Sequence, residues 1–238
     1  MPSDLVLTTS RASEDVVAAR ALRHRVFVHE MGASPGLDGL EGDAFDADCD
    51  HLLLRDRTRP EADVVATLRI GIGAAYTARE FDLSRVMATG RIVAEAGRAC
   101  LNPDYRGGPA AVALFAGLLR EMRRRGAEIL VGTASFPGAD ADRHLPALRR
   151  LRQEALAPEA IRPRAVGPNA IDIAGPAPTG AMRGVPSLIK TYLRAGAHVG
   201  EGAYLDRGFN TVDVCMILDM DHVRMPAIAD RVAGGHGR

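Results

Sequence analysis

The sequence predicts a mixed α/β fold, with an early antiparallel sheet followed by strand–helix–strand units. Three observations carry this expectation. HLLLRD (51–56) and VVATLRIGI (64–72) are apolar runs around a TRPEAD turn and read as a hairpin. A strand at 91–101 passes through a Gly-rich loop into an amphipathic helix at 109–126, with Pro109 at its start and Gly126 at its end. An apolar strand follows directly at 127–136.

The remaining elements follow in order. Residues 13–31 read as a first helix, with Ser13 as N-cap and Val17, Leu22, Val26 and Phe27 on its apolar face. Residues 32–48 form a Gly- and Asp-rich loop, and AREFDLSRV is irregular or briefly helical. DADRHLPALRRLRQEAL reads as a helix strained by Pro146. Residues 157–184 form a Pro- and Gly-rich loop with a short strand near Ala170–Ile173. VPSLIKTYLRAG (185–196) is a helix stopped by Gly196, VGEGAYLDRGF is a turn region, and TVDVCMILDM (211–220) is a closing strand. The expected organisation is one domain over 1–223 and a loose tail over 224–238.

Bulk properties narrow the function classes. The 238 residues are 47% hydrophobic and 25% charged, ordinary values for a globular chain, and the formal net charge is zero. That balance gives no global electrostatic case for nucleic acid or a membrane surface. Cys49, Cys100 and Cys215 are odd in number and far apart, which argues for reduced thiols in the cytoplasm rather than a disulfide framework or a metal site. No signal peptide is evident, and no uncharged run reaches the ~18 residues that a membrane helix needs.

The segment Gly90–Ala111, GRIVAEAGRACLNPDYRGGPAA, concentrates the chemistry. A strand, a Gly-rich loop and a helix N-terminus together suit a phosphate-bearing cofactor arm, and Glu95 just upstream can handle a proton. In an unbroken strand, alternation puts Glu95 and Gly97 on one face and Arg98 on the other. The alternative at these positions is an ion-pair network for Glu95 and Arg98 and an ordinary turn for the loop.

An ordered set of motifs extends this segment in both directions. Arg23, Val26 and Phe27 are followed by Phe45-Asp46 and Cys49-Asp50-His51-Leu52, then Leu68-Arg69. Glu95, Arg98 and Asn102-Pro103-Asp104-Tyr105-Arg106 come next, then Ala134-Ser135-Phe136. Pro186-Ser187-Leu188-Ile189-Lys190 with Leu193-Arg194 and Ala197, and Phe209-Asn210-Thr211 with Asp213-Val214, complete the series. Over roughly residues 15–222, this order resembles the L-ornithine N-alpha-acyltransferases of ornithine-lipid synthesis. These are relatives of the acyl-homoserine-lactone synthases within the GNAT acyltransferase superfamily. The chain departs from the family pattern at Ala96, at Cys100-Leu101-Asn102 and at Pro109, which removes one N–H from the phosphate loop.

The resemblance implies a GNAT fold, a twisted mixed sheet splayed near its middle with helices on both faces. It implies transfer of a 3-hydroxyacyl chain from acyl carrier protein, or from acyl-CoA, to the α-amine of L-ornithine, giving the lyso precursor of an ornithine lipid. No cofactor is bound permanently, and the lipid product can hold the enzyme at the inner membrane. Glu95 becomes the candidate base, with Arg98 beside it and Tyr105 as the acid for the leaving thiol. Cys100, Leu101, Arg106, Gly107, Gly108, Ala110 and Ala111 become the pantetheine site. Asp46, Asp50, Arg69 and Ser135 become candidate acceptor contacts, against the alternative of a salt-bridge cluster that orders a loop. Arg120, Arg123, Arg124 and Arg125 suit an acidic carrier protein, or form a solvated helix face. Phe81, Leu83, Phe115, Leu118, Leu130 and Phe136 line an acyl tunnel or pack as core. The competing readings are the same fold with another amine acceptor, including one derived from S-adenosylmethionine, and a non-catalytic module that binds acylated carrier protein. The absence of Trp argues against the signal-synthase branch.

Overall fold

The computed structural model describes residues 4–36, 38–59 and 63–224. Its strands are β1 (Leu5–Ser10), β2 (Asp50–Asp56), β3 (Val64–Ile72), β4 (Phe81–Asp82), β5 (Val93–Leu101), β6 (Ile129–Pro137), β7 (Arg164–Ala165), β8 (Ala170–Ile171), β9 (His198–Val199), β10 (Ala203–Asp206) and β11 (Thr211–Asp219). Its α-helices are α1 (Ser13–Arg23), α2 (Ser84–Met87), α3 (Pro109–Arg124), α4 (Ala141–Ala155) and α5 (Ser187–Arg194). The chain divides into two compact units. Among the described residues, the first holds 4–71 and 96–125, and the second holds 72–95 and 126–224.

In the first unit the strands run β1-β2-β3 and then the second half of β5. β1 and β3 both pair antiparallel with β2. Alternation along β2 sets Leu52 and Leu54 on one face and His51, Leu53 and Arg55 on the other. α3 packs on the Leu52 face, where the missing side chain of Gly117 admits Leu7 and Leu52. A Cβ at that position would lie 2.0 Å from Leu7 Cδ2, so the glycine sets the helix–sheet spacing. α1 lies over the other face, where its Asp15 takes a 2.5 Å hydrogen bond from Arg55.

In the second unit the order is the first part of β5, then β6-β11-β10-β8, with β9 also on β11. β5 and β6 are parallel and pair at Val93/Ile129, Ala94/Leu130 and Glu95/Val131. β6 and β11 are antiparallel over nine pairs, from Ile129/Asp219 to Pro137/Thr211. One face of this sheet carries Val93, Ile129, Val131, Cys215 and Ile217, which pack against Phe81, Leu83 and Val86. Burying each large aliphatic or aromatic side chain there stabilises by about 1.5–3 kcal/mol. Phe81 and Leu83 are therefore core residues.

The helices, the hairpin, α3 and the closing strand lie where the sequence puts them, with the following differences. β1, β4, β7, β9 and β10 are strands that sequence patterning leaves as terminus, irregular segment, loop or turn. Ser13 is the first helical residue rather than the cap, since Ala12 occupies the cap position. Val17 is half-exposed, whereas Leu22, Val26 and Phe27 are buried as expected. The first helix continues past Arg23, but His24–Glu30 winds as a π-helix. Pro146 lies inside α4, whose N-terminus is capped by the Asp140 side chain. The expected tail lies outside the described residues beyond Arg224.

Candidate active site

In the first unit, three guanidiniums and three carboxylates interlock on the α1 side. Arg23 at the end of α1 holds Asp46 through both oxygens, at 2.8 and 2.6 Å, and Glu41 at 2.5 Å. Arg69 on β3 reaches Asp46 at 2.8 Å and also bonds Asp43. Arg98 reaches Glu41 at 3.0 Å and Asp43 at 2.8 Å. Each carboxylate thus bridges two guanidiniums, which compensates the desolvation of six charges. Burial alone would raise the Asp46 carboxyl, but Arg23 and Arg69 outweigh it and hold the group well below the usual carboxylate range. Asp43 and Asp46 also form a reciprocal cap on the 3-10 turn Ala44–Ala47. Asp46 and Arg69 are therefore placed where they order the loop, and Asp46 also lines an open groove along α1.

Asp50 lies apart from that network. It pairs with Arg11 at 2.6 Å and with Arg125, just past α3, also at 2.6 Å. His51 is fully buried with its Nε2 3.3 Å from the Asp46 carbonyl, and burial pushes its pKa down, as suits a packed neutral imidazole.

The loop from Cys100 to Ala111 leads into the N-terminus of α3. Asn102 caps the 3-10 turn Pro103–Tyr105 by accepting the Asp104 N–H. Gly107 takes φ +72°, which a glycine adopts without strain. Gly108 is the N-cap of α3 and Pro109 is its first residue. A helix start leaves its first N–H groups without intrahelical acceptors, and Gly108, Ala110 and Ala111 are those residues here. Arg106 sits beside them, bonded to both oxygens of Glu30 and to the Leu101 carbonyl. Tyr105 donates its hydroxyl to Asp56 at 2.6 Å, and burial and that bond push the phenol pKa up. The same bond is the main reason the Asp56 carboxyl falls to about 2. Cys100 is buried and its thiol is pushed up to about 12, so it is not a thiolate at neutral pH.

In the second unit, Glu95 ends the parallel pairing of β5 with β6. Its Oε1 accepts the Thr77 N–H at 2.5 Å and the Thr77 hydroxyl, and its Oε2 accepts the Tyr76 N–H at 3.1 Å. The carboxylate is thereby fixed as an acceptor and only half-buried. Arg98 takes φ +53°, so the strand's alternation breaks there, and its guanidinium joins Glu41 and Asp43. Ser135 is half-buried on β6 opposite Asp213.

Sequence reasoning missed Glu41 and Asp43, which complete the Arg23–Arg69–Arg98 network, and Tyr76 and Thr77, which hold Glu95. Acidic residues in the 32–48 loop were the available signal for the first pair. Nothing local signals the second.

Comparison with known proteins places the chain in a family. Residues 22–116 match the family model described as an acetyltransferase (GNAT) domain. The chain is 40% identical over 92% of its length to an L-ornithine N(alpha)-acyltransferase of Rhodobacter capsulatus, covering 91% of that protein. It is 31% identical over 93% of its length to one from Rhizobium meliloti, covering 82% of it. Among solved structures, the CoA-dependent acyl-homoserine lactone synthase BjaI, solved with SAM and isopentyl-CoA, superposes with a TM-score of 0.54. That match spans 99% of this chain and 92% of BjaI at 14% identity, a likeness of fold. With these relatives, the chain belongs to the L-ornithine N(alpha)-acyltransferase family of GNAT-fold acyltransferases.

Proposed function

We infer that this acyltransferase moves a 3-hydroxyacyl chain from an acyl-thioester donor, acyl carrier protein, to the α-amine of L-ornithine. The product is the lyso precursor of an ornithine lipid. The observation that carries this reading is the 40% identity, spread over 92% of the chain, to a relative named for that acylation. The donor's phosphodiester suits the N–H groups of Gly108, Ala110 and Ala111, with Arg106 exchanging Glu30 for phosphate.

An ammonium has no lone pair, so the α-amine must lose a proton before it attacks the thioester carbon. Glu95 is the base, directly or through one water, because its Oε2 carries the longest of its three hydrogen bonds. The nitrogen lone pair forms the C–N bond, the tetrahedral oxyanion collapses and the C–S bond breaks, and the second proton shed by the nitrogen passes to the departing thiolate to give the thiol. The raised thiol pKa of Cys100 supports direct attack without an acyl-enzyme. Tyr105 in its present pose donates to Asp56, so a role as acid for the thiolate requires it to leave that bond. No helix among the described residues is long and apolar enough to cross a membrane. Membrane contact through the lipid product belongs to the same proposal, at the cytoplasmic side.

The test is a free-thiol assay with 3-hydroxyacyl carrier protein and a panel of amino acids, with mass spectrometry of the product. Thiol release dependent on L-ornithine and an N-acyl-ornithine mass are expected. Release with another acceptor alone would overturn the ornithine assignment, and binding of acyl carrier protein without any release would overturn the enzymatic one.

A further inference from the structure

The second unit holds an acidic cluster whose parts lie far apart in sequence. The register fixes which side chains share its face. Thr211 stands opposite Asp206, and Asp213 opposite Tyr204, across β10 and β11. Asp213 stands opposite Ser135 on β6. Glu95, paired with Val131, points to this same face by alternation. The face is apolar where Val131, Cys215 and Ile217 meet Phe81, and turns polar at Ser135, Asp213, Thr211 and Asp206.

Glu80 approaches the polar end from the turn that follows Tyr76 and Thr77, the residues bonded to Glu95. Carboxylate oxygens of Glu80, Asp206 and Asp213 all lie within 4.8 Å of one another. Glu80 and Asp213 are 5% and 4% exposed. The Thr211 hydroxyl on the same face is wholly buried and has no hydrogen-bond partner among the described residues. A cavity beside the cluster is lined by Tyr76, Arg79, Asn169, Tyr204 and Arg207 together with Glu80 and Asp206.

We propose that Glu80, Asp206, Asp213 and Thr211 form the subsite for the side-chain ammonium of the acceptor amino acid. Three oxygens within 4.8 Å of each other leave a point about 2.8 Å from all three, the length of a charge-assisted N–H···O bond. An alkylammonium carries three N–H donors, matching three acceptors. Thr211, opposite Asp206, brings to the same face a hydroxyl that has no partner among the described residues. Arg79 and Arg207 bring the opposite charge that an amino acid's carboxylate requires. The subsite rests on the ornithine reading and assigns the residues that select ornithine over a neutral amino acid.

The test uses the full chain with L-ornithine and with L-norvaline, which has the same carbon chain without the terminal amine. Glu80→Gln and Asp206→Asn remove charge while keeping shape, and Thr211→Val removes only the hydroxyl. In each charge variant the kcat/KM ratio of ornithine to norvaline is expected to fall at least about tenfold, about 1.4 kcal/mol, mostly through KM. Asp206 is the less buried acid, so Asp206→Asn answers the question if Glu80→Gln fails to fold. An unchanged ratio, or equal losses toward both acceptors, overturns the subsite. Loss of parent activity in EDTA with recovery on Mg2+ or Mn2+ also overturns it, because the cluster would then hold a divalent cation. If the parent acylates ornithine while no variant alters selectivity, the subsite alone fails. If the parent acylates no diamino acid, the ornithine reading fails with it.

Discussion

Replacing Glu95 with Gln separates chemistry from stability. In Glu95→Gln the amide oxygen can take the place of Oε1 and keep both Thr77 bonds. The amide nitrogen then faces the Tyr76 N–H, donor against donor, and a 3.1 Å bond to a charged acceptor is lost. One such bond is worth about 1.5–3 kcal/mol. For a chain of this size that lowers Tm by roughly 3–12 °C, at about 2–4 °C per kcal/mol. Removing a general base costs about 10²–10⁴ in rate. That range is roughly 2.7–5.4 kcal/mol of barrier, at about 1.36 kcal/mol per factor of ten. Single-turnover thiol release with saturating ornithine, read beside a thermal melt, resolves the two effects. A well-folded Glu95→Gln enzyme that turns over as fast as the parent would refute the base assignment. A loss of rate fully matched by loss of folded protein would refute it equally.

Other perturbations follow from the same geometry. Asp46→Asn leaves Arg23 and Arg69 buried around a neutral group and should cost about 3–5 kcal/mol in urea unfolding. The Asp46 carboxyl sits below its ordinary value in the folded chain, so its stabilisation is full above about pH 4 and is lost as pH falls further. Parent and variant stabilities should therefore converge on acidification, and a constant gap down to acid pH would contradict this. Gly117→Val should destabilise by about 1–3 kcal/mol, since its Cβ meets Leu7 and the tip of Leu52; an unchanged melt would show that α3 can shift. Arg120 and Arg123 are exposed, so reversing both to Glu should raise KM for acyl carrier protein and flatten its salt dependence. An unchanged KM would remove this helix end from the docking surface.

Much of the frame was legible because its signals are local. The hairpin, α3 and β11 have strong periodicity and clear ends. β1 was not, because LVLTTS gains its strand character from six pairs with β2, far along the chain. β10 was hidden by Gly200, Gly202 and Gly208, which surround a short run that becomes a strand only against β11. For the site, the family motifs named Arg23, Asp46, Arg69 and Arg98 as a set, and they share one network. The alternation argument for Glu95 and Arg98 met a left-handed residue at Arg98. Such a backbone state depends on partners such as Glu41 and Asp43, not on the strand's own sequence. The Glu80–Asp206–Asp213 cluster joins a turn to two late strands, and no window of sequence contains it.

The π-helical turn at His24–Glu30 makes this stretch a reservoir of length. A π turn takes up an extra residue within a continuous helix, so losing one codon there can be absorbed as the wide turn tightens to an ordinary α turn. In a regular helix the same loss would rotate one flank by about 100° relative to the other. Arg23, the last residue before the π segment, would keep its reach to Asp46 and Glu41. A variant library of single deletions should therefore find 24–30 more permissive than the regular turns of α1.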